Sequence, residues 1–355
     1  MPAAEYPPAA YGFPVHTCSG ARLTGRGQHV GIVGCGGQIS QAQLEAIAPG
    51  KTVVAAAPQT ITKPDAAFAQ EIRMDVQIVL ACAPEAHVTV YAIDATERGW
   101  IQGLSGILES GDRPSVISIS WGWPEETRGE AFWSKAGIAQ VEELLAALAR
   151  QGVTVTASSG DAGTAIYYPG SSAWVLSCGA TEFCGGEERV WSMTGYASGG
   201  GMSSLIPIPA WQIQAEIVSD GEPAIRSYTH RCVPDVAACA AFSSAATGGV
   251  HAGTSAAAPL WAAVMALANQ RFAELGLPSA GSIHALLYDR DTGLQAACND
   301  IAKGNNSTSG GFPAYRASPG WDACTGWGSP KVGPFIEALT RAMRRPELTR
   351  QIPIL

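Results

Sequence analysis

Short apolar runs rich in β-branched residues alternate with helical patterns in the first half of the chain, and this alternation constrains the fold more than any other feature. The runs are HVGIVG (29–34), HVTVYAI (87–93), SVISIS (115–120), VTVTASS (153–159) and AWVLSCG (173–179). Helical patterns lie between several of them, at about 65–82, 98–110 and 130–151. Continuous apolar strands that alternate with helices are typical of a parallel sheet covered on both faces. The pattern predicts an α/β fold with a mostly parallel central sheet.

The second half of the chain is looser but contains no break between domains. A Gly-rich stretch, SGGGMSS (198–204), precedes a long helix predicted from near Ser255 to about Leu275, and a final helix is predicted near 331–344. We find no internal repeat and no interdomain linker, so 1–355 is predicted to be a single domain.

Composition excludes two classes of partner. Only 15% of residues are charged, the formal net charge is −8, and no Lys/Arg cluster is present that would neutralise phosphates, which argues against nucleic acid. No apolar run reaches the roughly 18 residues of a membrane span. The first residues, MPAAEYPPAAYGFPVH, lack a basic region followed by an apolar one, so no signal peptide is predicted.

Ser255, in HAGTSAAAP (251–259), is either a nucleophile or the cap of a small-residue helix. A nucleophilic serine usually relies on a histidine base. His29 and His87 each open an apolar run and are interpreted as structural. His251 precedes Ser255 by four residues, but the intervening Gly-Thr pair interrupts the segment, and no histidine motif of the subtilisin kind occurs. The sequence therefore gives little support to a Ser-His-Asp triad.

A carboxylate pair is the better candidate for the base. In FAQEIRMDVQIVLAC (68–82), Glu71 and Asp75 are four residues apart, so both side chains lie on one helix face within an apolar arc. Burial and mutual repulsion both raise carboxyl pKa values, which lets one acid hold a proton while the other accepts one. The alternative interpretation is a solvated pair that flanks Arg73.

Asp161 lies in VTVTASSGDAG, directly after a predicted strand. Open parallel sheets place their sites at the carboxyl ends of strands, and SISWGW (118–123) also follows a strand directly. The alternative is a turn aspartate, which Gly160 and Gly163 favour.

Together these segments resemble the sedolisins, or serine-carboxyl peptidases, and kumamolisin-like members in particular. EIRMD (71–75), SGDAG (159–163) and GTSAAAP (253–259) occur in the family's order. The resemblance extends over nearly the whole chain, through SISWG (118–122), SGGGMSSLIPIPAWQ (198–212), RCVPDVAA (231–238), DIAKGNN (300–306) and GWDACTGWGSP (320–330).

The resemblance implies a subtilisin-like fold and an acid-acting endopeptidase. It makes Ser255 the nucleophile, Glu71 its general base, and Asp75 the partner that hydrogen-bonds Glu71. Asp161 would donate a carboxyl hydrogen bond to the oxyanion, beside the Ser255 N–H. A tripeptidyl-type exopeptidase with the same triad, an inactive peptide-binding relative and a neutral subtilisin-type protease are the alternatives.

Asp300 and Asp322 flank a Gly/Asn/Ser-rich loop, and oxygen ligands of this kind suit Ca²⁺. The resemblance implies one calcium ion in a C-terminal segment at about 298–330, held by both side chains and by the carbonyls of Ile301, Ser318 and Gly320. A polar surface loop is the alternative. Cys298 and Cys324 lie two residues outside the aspartates, which raises a disulfide as a further hypothesis.

The substrate is expected to be a peptide or unfolded protein. Glycine permits close backbone approach of an extended peptide, so a cleft is predicted from these residues: Trp121, Gly122, Ser198, Gly199, Gly200 and Gly201. Core packing is the alternative role for Trp121. We expect a monomer, and the resemblance implies secretion.

The sequence departs from relatives in three respects. Family members usually carry a long prodomain, whereas this chain is predicted to contain the peptidase domain alone. Gly34 stands where kumamolisin-like enzymes often have a Glu that extends the proton network, so the pH optimum is expected to differ. The segment from Asp161 to Pro169 lacks an acid-containing insertion found in some relatives, so their specificity is not transferred.

Overall fold

A computed structural model describes residues 9–17, 20–56, 61–126, 131–215, 229–244, 249–308 and 314–345, with the backbone alone for 242–244 and 249–251. The strands, in chain order, are β1 (His29–Cys35), β2 (Val53–Ala55), β3 (His87–Ile93), β4 (Val116–Ile119), β5 (Trp123–Pro124), β6 (Thr154–Ser158), β7 (Tyr167–Tyr168), β8 (Val175–Cys184), β9 (Glu187–Val190), β10 (Ser192–Met193), β11 (Tyr196–Ala197), β12 (Gly201–Pro207), β13 (His230–Val233), β14 (Val236–Cys239), β15 (Ala241–Ser244), β16 (Gly249–Ala252), β17 (Cys298–Asn299) and β18 (Ser329–Pro330).

The helices fall between these strands and after them. They are α1 (Gln41–Ile47), α2 (Ala66–Cys82), α3 (Glu97–Glu109), α4 (Lys135–Arg150), α5 (Ala210–Ala215), α6 (Thr254–Glu274), α7 (His284–Tyr288) and α8 (Val332–Met343). Short 3₁₀ turns occupy Ala9–Tyr11, Arg290–Thr292 and Gln295–Ala297.

Seven parallel strands form the central sheet in the order β14-β8-β6-β4-β1-β3-β2. β9 adds an antiparallel pairing to the end of β8. The remaining strands pair two by two: β5 with β7, β10 with β11, β12 with β13, β15 with β16 and β17 with β18. All five strands predicted from the sequence belong to the central sheet, which confirms the mostly parallel α/β fold.

The two faces of the sheet bury separate cores because successive strand side chains point to opposite faces. In β1, Val30 and Ile32 face the core that contains α2, α6 and α8, whereas Val33 and Cys35 face the core that contains α3 and α4. Helices therefore cover both faces, as predicted. Within the described residues no helix has both the length and the apolar character needed to cross a bilayer.

Helix α6 runs through the centre of the larger core, which explains its composition. It is 21 residues long, and nearly all of them are buried, from Thr254 to Phe272. Its alanines allow α2 to pack closely alongside it and the strands to pack beneath it. A helix that is apolar on every side is typical of such a buried position. This packing fixes the first turn of α6 against α2 at the carboxyl edge of the sheet.

Candidate active site

The carboxyl edge of the sheet brings together the residues singled out in the sequence. Ser255 is the second residue of α6, and Glu71 and Asp75 lie one turn apart on α2. Asp161 follows β6 after two residues. The Asp65 side chain accepts the Ala67 N–H and so defines the start of α2. The four side chains thus come from two packed helices and one strand end.

The carboxyl pair on α2 is withdrawn from water. Asp75 is fully buried, and burial, followed by the charge of Glu71, raises the pKa of Asp75 well above its usual range. Glu71 is partly exposed, but its Oε1 atom is buried. Burial raises the pKa of Glu71 to about 7, opposed by a hydrogen bond with Ser255 and reinforced by the charge of Asp161. The two acids titrate as a pair that favours one proton and one charge.

Two buried oxygens in this pair have no partner in the described part of the chain, Oε1 of Glu71 and Oδ2 of Asp75. Buried polar atoms are normally hydrogen-bonded, and an unpaired one is costly. Because the residues are one helical turn apart, both side chains lie on the same face of α2. Burial and mutual repulsion disfavour two negative charges on that face.

Ser120, which the sequence reasoning did not single out, joins the acid pair to the serine. Its hydroxyl donates to Asp75 Oδ1 at 2.8 Å and lies 3.1 Å from the carbonyl oxygen of Ser255. The hydroxyl has one hydrogen to donate, and its shorter contact, to Asp75, is the hydrogen bond that opposes the rise in the pKa of that carboxyl. The signal available in the sequence was SISWG (118–122), because Ser120 directly follows β4.

Ser255 is accessible at the start of α6. Its side chain is partly exposed, and Oγ donates to the carbonyl oxygen of Ser120 at 3.3 Å. Its hydroxyl also lowers the pKa of Glu71 as a hydrogen-bond partner. The N–H groups in the first turn of a helix have no intrahelical acceptor, so the Ser255 N–H is available to an anion.

Asp161 is fixed by the residue that precedes the serine. The Thr254 N–H and hydroxyl both donate to Asp161 Oδ1 at 2.8 Å, and Thr254 Oγ accepts the Gly160 N–H at 3.2 Å. Oδ2 of Asp161 accepts no hydrogen bond from the described residues. A Cβ atom at Gly253 would lie 2.6 Å from that Oδ2, so only glycine fits there. Burial raises the pKa of Asp161, although the Thr254 hydrogen bonds oppose the shift.

Histidine does not contact this site among the side chains that the structure describes. His29 and His87 begin β1 and β3, at the opposite edge of the sheet. His284 lies 2.8 Å from Ser282 Oγ and 3.0 Å from the carbonyl oxygen of Val175. The side chain of His251 lies outside the described residues.

The cleft residues expected from the sequence fall into two groups. Trp121 is partly buried, its ring centroid lies 4.3 Å from that of Phe68, and its buried Nε1 has no described partner. The Trp121 side chain thus packs against Phe68 and is also partly exposed to solvent. Gly122 is partly exposed, and a Cβ there would lie 3.0 Å from the carbonyl oxygen of Tyr168.

The Gly-rich stretch is placed differently from expectation, because Ser198, Gly199, Gly200 and Gly201 are all buried. The Ser198 hydroxyl accepts the Ala180 N–H and donates to the Cys324 carbonyl. The Gly199 N–H donates to the carbonyl of Gly160 at 2.7 Å. The stretch therefore packs against the turn that contains Asp161 and does not form an exposed side of a substrate cleft. Contact with substrate stays a prediction.

A cavity of about 420 Å³ lies next to the Asp161 turn. Its lining comes from four segments: Pro124–Glu126, Ala162 with Thr164–Ile166, Met202 with Ser204, and Asn306–Thr308. Glu125 is held in place by the Ser203 hydroxyl at 2.8 Å and the Ser204 N–H at 2.7 Å, whereas Glu126 is exposed. Among the described residues, the lining contains two carboxylates and no lysine or arginine.

The predicted calcium segment brings its two aspartates to one turn. Asp300 accepts the Gly320 N–H at 2.9 Å, and Asp322 accepts the Ser318 N–H at 3.3 Å. Asp322 is fully buried, and burial raises its pKa to about 7, opposed by the N–H groups of Cys324 and Thr325. In the described part of the chain, the carbonyls of Ile301, Ser318 and Gly320 accept no hydrogen bond. The donor set is oxygen only and includes a buried carboxylate without a described cation, which fits Ca²⁺.

Two further expectations were tested. Cys298 and Cys324 are free thiols that donate to different carbonyls, those of Leu294 and Tyr315, so the disulfide hypothesis was wrong. At Gly34, a Cβ atom would lie 2.4 Å from Cδ1 of Ile72, the neighbour of Glu71. A larger residue at position 34 therefore requires α2 or Ile72 to shift.

Residues 52–328 match the sequence profile described as "Subtilase family". The chain belongs to the subtilase family. It is 33% identical over 354 residues to kumamolisin of Bacillus sp. (strain MN-32), with 89% of this chain and 61% of that protein covered. This relative confirms the kumamolisin-like sedolisin resemblance.

Two other relatives extend the comparison. Human tripeptidyl-peptidase 1 is 27% identical over 297 residues, with 76% of this chain and 51% of that protein covered. The solved structure of Pseudomonas sedolisin, a serine-carboxyl proteinase complexed with two molecules of pseudo-iodotyrostatin, superposes with a TM-score of 0.75 at 23% identity, covering 93% of this chain and 96% of that one. It confirms the subtilisin-like fold. The chain spans 61% of the length of kumamolisin and 51% of the length of human tripeptidyl-peptidase 1.

Proposed function

We propose that this chain is a serine peptidase of the serine-carboxyl type that cleaves within peptide chains at acid pH. One observation carries the proposal. The accessible Ser255 adjoins two acids, Glu71 and Asp75, whose pKa values are raised by burial, and no described histidine side chain reaches it. A carboxylate becomes an adequate base for serine when burial brings its pKa towards the working pH.

Glu71 takes the proton of the Ser255 hydroxyl while Oγ attacks the carbonyl carbon of the scissile peptide. The carbonyl oxygen becomes an oxyanion, stabilised by the Ser255 N–H and by a protonated Asp161 through Oδ2. The intermediate collapses as Glu71 returns its proton to the leaving amine, which leaves an acyl-enzyme on Ser255. Water, deprotonated by Glu71, then attacks the ester carbonyl. The bond to Ser255 Oγ breaks as Glu71 returns this proton to Oγ, which releases the acid product and restores the free serine.

Asp75 acts in this scheme through Glu71 as a positioning residue. While Asp75 holds its proton, it donates within the pair and leaves a single negative charge on Glu71. When Glu71 accepts the serine proton the pair becomes neutral, so a buried charge is removed as the oxyanion forms. Ser120 keeps Asp75 in register with the first turn of α6.

The pH dependence follows from these protonation states. At very low pH both members of the Glu71–Asp75 pair are protonated and no base is present. As pH rises the pair loses one proton and activity appears. At higher pH Asp161 loses its proton and repels the oxyanion, and activity falls. Burial raises the pKa values of Glu71 and of Asp161, so both limbs lie at higher pH than they would for ordinary carboxyl groups.

The proposed substrate is a peptide or unfolded protein bound along Trp121 and Gly122. The cavity next to Asp161 would take a side chain, and its two glutamates favour a cationic one over an anionic one. This preference is tested with two peptides that differ only in having Lys or Glu at the position that fills the cavity. Glu126→Gln should reduce the preference for the Lys peptide.

We also propose one Ca²⁺ in the segment at 298–330, held by the side chains of Asp300 and Asp322 and by the carbonyls of Ile301, Ser318 and Gly320. When bound, the ion supplies a counter-charge that keeps the buried Asp322 ionised. The segment is tied to the active site because Ser198 links the Cys324 carbonyl to β8, beneath the Asp161 turn. A monomeric, secreted protein whose 355 residues form the peptidase domain remains our expectation.

One experiment tests the function against its alternatives. An unfolded protein is incubated with the chain across the pH range, with Ser255→Ala as control, and product ends are read by mass spectrometry. Internal fragments formed in acid and absent with Ser255→Ala support the proposal. Serial release of tripeptides supports the tripeptidyl-type alternative. Binding without cleavage supports an inactive relative, and a maximum near pH 8 supports a subtilisin-type protease.

A further inference from the structure

At the edge of the sheet opposite the active site, two histidines and one aspartate converge without a described function. His29 and His87 are paired in register at the start of β1 and β3. Their rings stack with centroids 4.5 Å apart and an interplanar angle of 8°. Asp112 approaches from the loop after α3, with its carboxylate 3.5 Å from His29 Nδ1. One ligand atom from each of the three lies within 4.8 Å of the others.

From this convergence we propose that His29, His87 and Asp112 form a binding site for a divalent transition-metal ion, with Zn²⁺ as the best match. Imidazole nitrogen and carboxylate oxygen are ligands that Zn²⁺ takes readily, and three protein ligands with one water complete a tetrahedral shell. Zn–N distances of 2.0–2.1 Å place tetrahedral ligand atoms about 3.4 Å apart. The ligand atoms now lie within 4.8 Å of one another, and one ring must turn out of the parallel stack so that both in-plane lone pairs meet at the ion.

Unpaired ring nitrogens favour a ligand over simple packing. Nε2 of His87 is buried and has no hydrogen-bond partner in the described structure. Nδ1 of His29 is also buried, and its neighbour is the Asp112 carboxylate at 3.5 Å, which is itself 83% exposed. A stacked histidine pair that served only as packing would leave Nε2 of His87 unsatisfied. A cation between the two ring nitrogens and Asp112 satisfies all three groups.

A neighbouring side chain already orients one ligand. His29 Nε2 lies 2.8 Å from the hydroxyl of Thr89, two residues along β3 from His87. If Nε2–H donates to that hydroxyl, Nδ1 carries the lone pair that faces Asp112. Metal-binding histidines typically hydrogen-bond through their other ring nitrogen in this way.

The surrounding charges also suit a cation. Arg113 follows Asp112 in the chain, but its terminal nitrogens bond to the Leu108 carbonyl and to Gln151, away from the cluster.

The proposed site is distinct from the peptidase machinery and from the predicted calcium segment. β1 and β3 each contain seven residues, so their starts lie about 20 Å from the carboxyl edge where Ser255 acts. Calcium prefers six to eight oxygen ligands, and two imidazoles discriminate against it. An ion here would bridge β1, β3 and the loop after α3 at one end of the sheet.

Zinc titration of the metal-stripped full chain tests the proposal, near neutral pH with calcium in excess and the exposed Cys184 alkylated. We expect one equivalent of Zn²⁺ to bind by isothermal calorimetry, and Co²⁺ to give the visible absorption of a tetrahedral site. His87→Ala should abolish binding. Asp112→Asn should weaken it at least tenfold, and because Asp112 is on the surface this variant keeps the fold. His16→Ala is the matched control, since His16 is exposed and belongs to neither β1 nor β3.

The outcomes separate cleanly. One equivalent in wild type, His16→Ala and Ser255→Ala, with loss in His87→Ala and weakening in Asp112→Asn, supports the site. The proposal is overturned if wild type binds no zinc, if Asp112→Asn and His87→Ala bind it as tightly as wild type, or if only Ser255→Ala or Glu71→Gln loses it. The last result would place the ion in the active site.

Discussion

Replacing Asp161 by Asn and by Ala separates the role of its proton from the role of its shape. In the structure Oδ1 is occupied by the Thr254 N–H and hydroxyl, and Oδ2 is free. Asparagine keeps a carbonyl for Thr254 and places an NH₂ donor where Oδ2 stands. Alanine removes both. Asp161→Asn should therefore keep a donor for the oxyanion that never ionises, and Asp161→Ala should keep none.

The magnitude follows from the number of donors left. Wild type offers two to the oxyanion, the Asp161 carboxyl and the Ser255 N–H. Loss of one such donor typically lowers kcat by about 10²–10³, or about 2.7–4 kcal/mol. We expect a loss of that size for Asp161→Ala and a smaller one for Asp161→Asn. Because the amide does not titrate, the fall in activity at high pH should move to higher pH in Asp161→Asn.

The assay is kcat and kcat/KM on one internally quenched peptide from acid to mildly alkaline pH, for wild type and both variants. Thermal unfolding of each variant controls for damage to the start of α6. Two results would refute the reasoning: equal losses in the Asn and Ala variants, or an unchanged alkaline limb in Asp161→Asn. A wild-type profile that stays flat through pH 8 would also contradict a protonated Asp161.

Three other perturbations test the surrounding structure. Ser120→Ala removes the hydrogen bond that lowers the pKa of Asp75, so the acid limb of the profile of kcat against pH should move to higher pH. An acid limb at the same pH as in wild type would exclude a role for Ser120 in setting the pKa of Asp75. Gly253→Ala puts a Cβ 2.6 Å from Asp161 Oδ2, so kcat should fall at least tenfold with KM little changed. Gly106→Ala on α3, where no atom lies within 4 Å, is the control, and equal kcat values in the two variants would contradict the close approach. Burial raises the pKa of Asp322 to about 7, so without calcium its contribution to stability is present below about pH 4 and is lost as pH rises through 7. Chelation should therefore lower Tm more near neutral pH than in acid. An equal Tm shift at both pH values, or the same shift in Asp322→Asn, would count against calcium there.

Much of the fold was predictable because its signals are local. Continuous apolar strands and 3.6-residue helical patterns placed the five strands and the helices α2, α3, α4, α6 and α8 within a few residues of their observed bounds. The two-stranded pairings, such as β12 with β13, were not predicted. They depend on contacts between distant segments, and short strands of two to seven residues carry little periodicity of their own.

The candidate site was predictable where chemistry and spacing coincide. Glu71 and Asp75 stand four apart in an apolar arc, and the structure withdraws both from water. Ser120 was missed, because a serine after a strand is common and its two contacts cross 45 and 135 positions of the chain. The burial of Ser198–Gly201 was also missed, since Gly and Ser indicate exposed loops as readily as close backbone packing.

The central claim is that Ser255 is served by the Glu71–Asp75 pair rather than by a histidine. The direct measurement is the single-turnover rate of Ser255 acylation as a function of pH, read by rapid quench and intact mass, in wild type, Glu71→Gln and His251→Ala. We predict acylation in acid for wild type and His251→Ala, and a loss of about 10²–10⁴ in Glu71→Gln. Undiminished acylation in Glu71→Gln, or its loss in His251→Ala alone, would contradict the account.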